Sequence, residues 1–180
     1  MSDNTNLTDV PPAANDKSGI TGEVHWVLTG PDGEIKAEGR TKNLITAVGD
    51  QYYAGRAALS AGLPAQVTGF RLGSGSTAPS KSGAGAAIVT YIAGSNKAND
   101  SGFPTATGGV VTWKRTYAAG EATTASAINE VVLNTDTIAN DNATTATAAN
   151  TIARAIVTGV ASKGASDTLT ITWTHTILGA

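Results

Sequence analysis

The sequence predicts an all-β protein, mainly an antiparallel β-sandwich or jelly roll, with one helix at about residues 44–60 and an extended N-terminal arm. The closing stretch TLTITWTHTI, residues 168–177, alternates apolar and polar side chains without a fault, as a strand with one buried face does. Several other short alternating segments are separated by Gly, Ser and Asn, with no crossover helices between them. Only 14% of the residues are charged, so the surface is built largely from Thr, Ser, Asn, Gly and Ala, a composition typical of β-structure.

Residues 1–19 are predicted to be the arm, and residues 20–180 a single domain. The arm contains Pro11, Pro12 and three aspartates but almost no large apolar side chain, so burial cannot offset the entropy of folding it alone. We expect the arm to lie on another protein chain, with Leu7, Val10, Pro11 and Pro12 as its contact residues. The arm has no basic start and no apolar centre, which argues against a secretory signal.

Residues 20–42 predict a β-hairpin, and the residues after it predict the helix. Val24, Trp26 and Leu28 alternate with more polar residues, and the sequence GPDG at 30–33 predicts the turn. From residue 44 the apolar spacing becomes near-helical, with Asn43 as the predicted N-cap and Gly62 as the predicted stop.

Residues 66–178 are predicted to contain the remaining strands. Strand patterns occur at 65–75, where a Gly/Ser loop follows, and at 86–95, 108–120, 127–136, 151–160 and 168–177. The low-complexity stretch at 135–151 predicts an exposed loop. Because the closing strand is the most regular, we expect the chain to end on a central structural element.

Composition excludes several classes of function. The chain has no cysteine, which rules out disulfides, thiolate metal sites and cysteine nucleophiles. Its net charge of -2 and scattered basic residues argue against nucleic acid as a partner, and no apolar run approaches the length of a membrane span. The glycine-rich stretch GFRLGSGSTAPSKSG lacks the GxxxxGK[ST] spacing of a phosphate loop, because Lys81 follows Pro79 with no helix behind it.

The two histidines give little support to catalysis or metal binding. His175 lies in the apolar phase of the closing strand, which favours a core histidine that shares a hydrogen bond, and His25, near Glu23, is predicted on the surface. A two-histidine metal site remains an alternative that spacing cannot test. The sequence also contains no G-x-S-x-G elbow.

Acidic and aromatic side chains leave two further alternatives open. Glu121 and Glu130, and likewise Asp136 and Asp141, lack the spacing of an EF-hand, which leaves only adventitious calcium. The other alternative is a stacking platform for a base or a sugar at residues 113–117. Since Trp113, Arg115 and Tyr117 share one strand face and Lys114 the other, we instead expect half-buried packing with an extended Arg115 at the rim.

The order of the segments resembles that of small virion structural proteins of tailed bacteriophages. The matching stretches are NLITAVGDQYYAGRAA, VTGFRLGSGSTAP, GEATTASAINEVVL, TIARAIV and SDTLTITWTHTI, within about residues 42–178. In those proteins a helix precedes an lGxGxtxp strand and loop, a strand with the pattern I.E..l follows, and the chain closes on a dtLtItW strand.

The resemblance implies a non-enzymatic capsid decoration (cement) protein that needs no cofactor. Such a protein binds between major capsid protein subunits on the virion surface, often as a homotrimer, after synthesis in the host cytoplasm. The arm and the hairpin at 20–42 lie outside the shared pattern, so a tail, neck or fibre component that contacts the host surface is the alternative. A small hydrolase or sugar-binding enzyme on a jelly roll is a third hypothesis, because a fold does not determine a function.

Overall fold

The computed structural model of the chain describes residues 19–139 and 148–177. Within these residues it contains ten strands, one α-helix and a short 3-10 helix at Gly83–Ala86. The strands and the helix are β1 (Thr21–Thr29), β2 (Ile35–Lys42), β3 (Leu44–Ile45), α1 (Ala47–Ala58), β4 (Gly69–Gly73), β5 (Lys97–Ala98), β6 (Thr105–Thr107), β7 (Val110–Tyr117), β8 (Ile128–Asn134), β9 (Thr151–Val160) and β10 (Thr168–Thr176). The predicted arm, residues 1–19, lies outside the described residues except for Gly19.

The strands form two five-stranded sheets. The first sheet has the order β2-β1-β10-β7-β6, and the second has the order β3-β9-β8-β4-β5. Every strand pair within the described residues is antiparallel. The prediction of a mainly β, antiparallel fold with a single α-helix is therefore confirmed for this part of the chain.

The closing strand β10 is central, as the sequence predicts. It pairs with β1 from Thr21↔Thr176 to Thr29↔Thr168, and with β7 on its other side. Burial alternates along the whole of β10, with the threonines of residues 168–176 facing outward. The inward side chains of both sheets belong to one hydrophobic cluster, which includes Trp26, Trp173, Phe70 and Leu133.

One stretch of chain joins the two sheets at an edge. β2 belongs to the first sheet, and after Asn43 the chain continues as β3, which pairs with β9 of the second sheet. Leu44 and Ile45 are therefore strand residues, and the prediction of a helix from residue 44 is wrong at its start. Adjacent apolar residues fit either structure, and here backbone pairing with β9 decides between them.

Helix α1 begins and ends inside its predicted range. Thr46 is the N-cap, since its hydroxyl accepts a hydrogen bond from the Gly49 amide at 3.0 Å, so the prediction of Asn43 is wrong. The helix ends at the C-cap Leu59, before the predicted stop at Gly62. A Cβ atom on Gly49 would lie 2.2 Å from the Ile152 carbonyl oxygen, so glycine permits the close approach of α1 to β9. None of the described helices is long and apolar enough to cross a membrane.

The strand predicted at 86–95 is not formed. The structure has a short 3-10 helix ending at Ala86, and beyond it a single isolated bridge, Gly73↔Tyr91. The alternation itself is correct, because Ile88 and Ile92 are buried and Val89 is exposed. A ladder does not form since the amides of Val89 and Thr90 donate to the Glu130 carboxylate instead of to a neighbouring strand.

Two adjacent substitutions in β10 test this alternation. Ile171→Ala should lower the free energy of unfolding by about 2–5 kcal/mol, because a fully buried side chain leaves a cavity. Thr172→Ala, the matched control on the outward face, should cost less than about 1 kcal/mol. Urea unfolding of both variants measures the difference, and equal losses would contradict the assigned faces.

Candidate functional site

The predicted partner-binding residues Leu7, Val10, Pro11 and Pro12 lie outside the described residues, as does Asp141. The described chain starts at Gly19, which lines a groove of about 480 Å³ beside β3. The other residues that line the groove are Ile20, Asn43, Leu44, Ile45, Asp50 and Lys81. The structure thus identifies a concave surface at the start of the described domain.

His175 is the centre of a buried polar cluster where α1 meets the first sheet. Its side chain is fully buried, its Nε2 lies 2.9 Å from the Trp173 indole nitrogen and 3.2 Å from the Asn43 amide nitrogen, and its Nδ1 contacts the Tyr53 hydroxyl. Trp113 packs edge-on against the same imidazole, with ring centroids 5.1 Å apart. The prediction of a core histidine that shares a hydrogen bond is confirmed.

These contacts fix the protonation of His175. An indole N–H only donates, so Nε2 must accept, and the single proton of the neutral ring lies on Nδ1, facing the Tyr53 hydroxyl oxygen. Burial lowers the pKa of His175 from 6.5 to about 3. Burial likewise raises the pKa of Tyr53. The cluster is therefore neutral at pH 7, and its role is to join the helix to the sheet.

A second buried cluster lies on the outer face of the second sheet. Glu130 on β8 and Arg154 on β9 are both fully buried, and the Arg154 Nη2 donates to the Glu130 carboxylate at 2.6 Å. The Glu130 Oε1 also accepts from the backbone amides of Gly75, Val89 and Thr90, at 2.9–3.0 Å. Arg154 donates in addition to the Thr77 carbonyl oxygen at 2.6 Å. The ion pair is thus surrounded by hydrogen-bond partners, as a stable buried pair requires.

This cluster holds residues 74–92 across the second sheet. Glu130 binds both ends of the segment, while Ile88 and Val132 form a small apolar cluster next to it, with Tyr91 packed against them. Both faces of β8 are consequently buried. The Gly/Ser stretch, from which the sequence excluded a phosphate loop, is instead the cover of this sheet.

A third group of buried charges lies next to the start of β10, whereas His175 lies near the end of that strand. The Lys163 ammonium is buried and donates to the carbonyl oxygens of Ala118 and Asp167, at 2.9 and 2.7 Å. Burial lowers the pKa of Lys163. A hydrogen bond from Lys36 at 2.7 Å lowers the pKa of the Asp167 carboxyl. These contacts join the loops that follow β7 and β9 to strand β2.

The aromatic residues of β7 form no stacking platform. Trp113 and Tyr117 are buried, with 2% and 0% of their surface exposed. Arg115 reaches the rim, where it donates to Glu121 at 2.6 Å and its guanidinium lies 5.4 Å from the Tyr117 ring centroid. The prediction of packing with an extended Arg115 is confirmed, and the alternative of a base or sugar platform here is wrong.

The remaining predicted residues lie apart from one another. The His25 Nε2 donates a 2.9 Å hydrogen bond to the Glu38 carboxylate on the outer face of the first sheet, whereas Glu23, its predicted neighbour, binds Arg40 and Lys42. Asp136 forms an ion pair with Arg71. Within residues 19–139 and 148–177, no group of three or more histidine, aspartate or glutamate side chains is placed to hold a metal ion.

The Glu130 cluster is the buried polar arrangement that sequence reasoning missed. Its signal was present, because Glu130 directly precedes the apolar run VVL and Arg154 interrupts the apolar run IARAIV. Such runs are typical of strands buried on both faces, and a charge within one needs a partner. The identity of the partner could not be deduced, since the pairing joins residues from distant parts of the chain.

Comparison of the chain with protein-family models, with curated proteins and with solved structures gave no match.

Removal of the Glu130 charge should weaken the attachment of residues 74–92, which cover the second sheet. Glu130→Gln should lower the free energy of unfolding by about 3–5 kcal/mol, because it leaves the buried Arg154 guanidinium uncompensated. The amides of Gly75, Val89 and Thr90 should exchange hydrogen faster. Glu121→Gln, which weakens a partly exposed pair, is the control and should cost less than about 1 kcal/mol. Unchanged exchange at all three amides would refute the anchoring role of Glu130.

The His175 cluster should make the fold sensitive to acid. Between pH 6.5 and about 3 the unfolded chain binds a proton at this imidazole and the folded chain does not, so acid favours unfolding. This contribution to stability is complete above pH 6.5 and falls by up to about 1.4 kcal/mol per pH unit below it. Urea unfolding at several pH values should show this slope in the unmodified chain and in His25→Gln, and a smaller slope in His175→Gln. Equal slopes in all three proteins would be inconsistent with a neutral buried His175.

Proposed function

We propose that the chain is a non-enzymatic virion structural protein of a tailed bacteriophage, a decoration (cement) protein that binds the outer capsid surface and stabilises the shell. Its partners are the major capsid protein and further copies of itself, with a trimer favoured. The domain acts as a β-sandwich or jelly roll that presents its surface and its arm to these partners. It carries out this role without a cofactor.

The observation that carries the proposal is that the stretches that resemble phage virion proteins meet at one point. Gly75 and Thr77 belong to the LGSGSTAP stretch, Glu130 to INEVVL and Arg154 to TIARAIV. Their side chains and backbones form the Glu130 cluster, through hydrogen bonds of 3.0, 2.6 and 2.6 Å. Loosely matching motifs that contact one another in this way fit a shared scaffold better than a chance order of segments.

The nature of that cluster favours a structural role over chemistry at the same residues. Glu130 and Arg154 are fully buried and bind each other and the backbone of the covering segment. Their task is to build a rigid outer face on the second sheet. Such a rigid surface suits a protein that strengthens a shell by binding to it, because this face loses little conformational entropy on binding.

The two competing hypotheses have fewer observations behind them. A tail or fibre component that binds host glycans would be favoured by exposed aromatic rings in one patch, but Tyr52 and Trp113 are buried. A hydrolase would be favoured by a histidine in a cleft with carboxylates, whereas in the described residues His175 contacts Tyr53, Trp173 and Asn43. The tail, neck or fibre role stays the alternative to the decoration role.

Binding to phage heads tests the proposal. The full chain should co-sediment with intact heads at a fixed ratio to the major capsid protein, and light scattering should give its mass in solution. Deletion of residues 1–19 should abolish co-sedimentation while circular dichroism shows a folded domain, because the arm makes the contact. Ile35→Ser, at a side chain 61% exposed on the hairpin, is the control and should bind normally. A full chain that ignores heads would contradict the decoration role, and glycan binding would then be tested.

A further inference from the structure

We propose that the groove beside β3 binds residues 7–12 of a neighbouring copy of the chain. This inference says which part of one copy contacts another copy. It rests on the proposed function only in taking the chain to be oligomeric. The groove has a volume of about 480 Å³ and is lined by both apolar and polar residues. It lies at the end of the second sheet, where β3 is the edge strand.

The floor and walls of the groove fit a short extended peptide. Ile20 and Leu44 are half-buried, so each presents apolar surface to the groove, and Ile45 lies buried beneath.

The rim of the groove carries one exposed ion pair. The Lys81 ammonium binds both carboxylate oxygens of Asp50, at 2.8 and 2.7 Å, and both side chains are more than half exposed. An ammonium group has three N–H donors, so Lys81 can also donate a hydrogen bond to a second carboxylate. A bound peptide with one acidic residue between apolar ones therefore matches the groove.

Residues 7–12 have this pattern. Their sequence is LTDVPP, with Asp9 between Leu7 and Val10, and two prolines after them. Prolines favour the polyproline II conformation, in which three residues make one turn, so Leu7 and Val10 would lie on one face about 9 Å apart. Apart from Met1, Leu7 and Val10 are the only large apolar side chains that precede Gly19.

The place where the arm joins the domain favours a neighbour over the same chain. Gly19 and Ile20 themselves form part of the groove, so the chain leaves from its wall. For its own Leu7 to bind there, residues 13–18 would have to reverse direction over that wall. Extended outward, the nine residues from Val10 to Gly19 span about 30 Å, which is enough to reach the same groove on an adjacent domain.

Strand β3 is only two residues long, Leu44 and Ile45, so it offers little backbone for a further strand to pair with. The groove beside it, rather than the strand edge, is therefore the surface that receives the peptide.

Engineered cysteines test the inference directly, because the chain has none of its own. A disulfide forms only when the two Cβ atoms approach to about 4 Å. The full chain with Val10→Cys and Leu44→Cys should form disulfides between chains on mild oxidation, seen as multimers on a non-reducing gel. The control pair, Val10→Cys with Ile35→Cys on the exposed hairpin, should give a bridged fraction between chains at least about tenfold lower, because no groove holds the segment of one copy beside the hairpin of another.

A second pair of cysteine substitutions keeps the test decisive if the first variant does not fold. Val10→Cys with Lys81→Cys places the second thiol at the exposed rim of the same groove, and it should also bridge between chains. Bridges within one chain would overturn the neighbour as the source of the segment. If folded variants, as judged by circular dichroism, bridge no more than the control pair, the groove is not the binding site of the segment.

The same reaction on phage heads separates this inference from the proposed function. Bridging between chains that do not bind heads would support the arm exchange and contradict the decoration role. Chains that bind heads but never bridge at the groove, in solution or on the particle, would overturn the arm exchange alone.

Discussion

The strict alternation of β10 is the constraint on which the rest of the structure depends. This strand lies between β1 and β7 and pairs with both along almost its whole length. A slip of one residue would exchange the buried Leu169, Ile171 and Trp173 for threonines, so the core permits a single register. That register fixes β1 and β7, and through them the hairpin and the edge strand β6.

Buried polar groups attach the less regular parts of the chain to this frame. Helix α1 fully buries only Gly49 and Tyr52, with Val48 and Tyr53 packed partly against the core, and Tyr53 adds a polar contact to His175. Residues 74–92 have few strand or helix hydrogen bonds, and Glu130 supplies acceptors for them. In both cases one side chain on a sheet fixes a segment with little structure of its own. Because an unpaired buried polar group is costly, each attachment also excludes alternative positions of its segment.

The sequence predicted those elements in which local pattern and tertiary contact agree. The first strand of the hairpin and β10 follow from alternation that the first sheet preserves, whereas β8 and β9 follow from short apolar runs that the second sheet buries on both faces. β3 was missed because Leu44 and Ile45 have the same spacing in a strand as at a helix start, and only pairing with the distant β9 distinguishes them. The Glu130 cluster was missed for a similar reason, since Glu130 accepts from amides 40, 41 and 55 residues away. Contacts of this kind depend on topology, which a local pattern does not contain.

The distribution of charge bears on the proposed association with other chains. Charged residues are only 14% of the sequence, and in the described part Arg71, Glu130, Arg154, Lys163 and Asp167 are buried. The internal clusters thus remove charge from a surface that already has little, and the outward face of β10 carries only threonine. Threonine loses less side-chain entropy and less hydration than lysine or glutamate when a partner covers it. Interface centres are depleted of charge for this reason, so the burial of charge that stabilises this domain internally is also consistent with the assembly role that we propose.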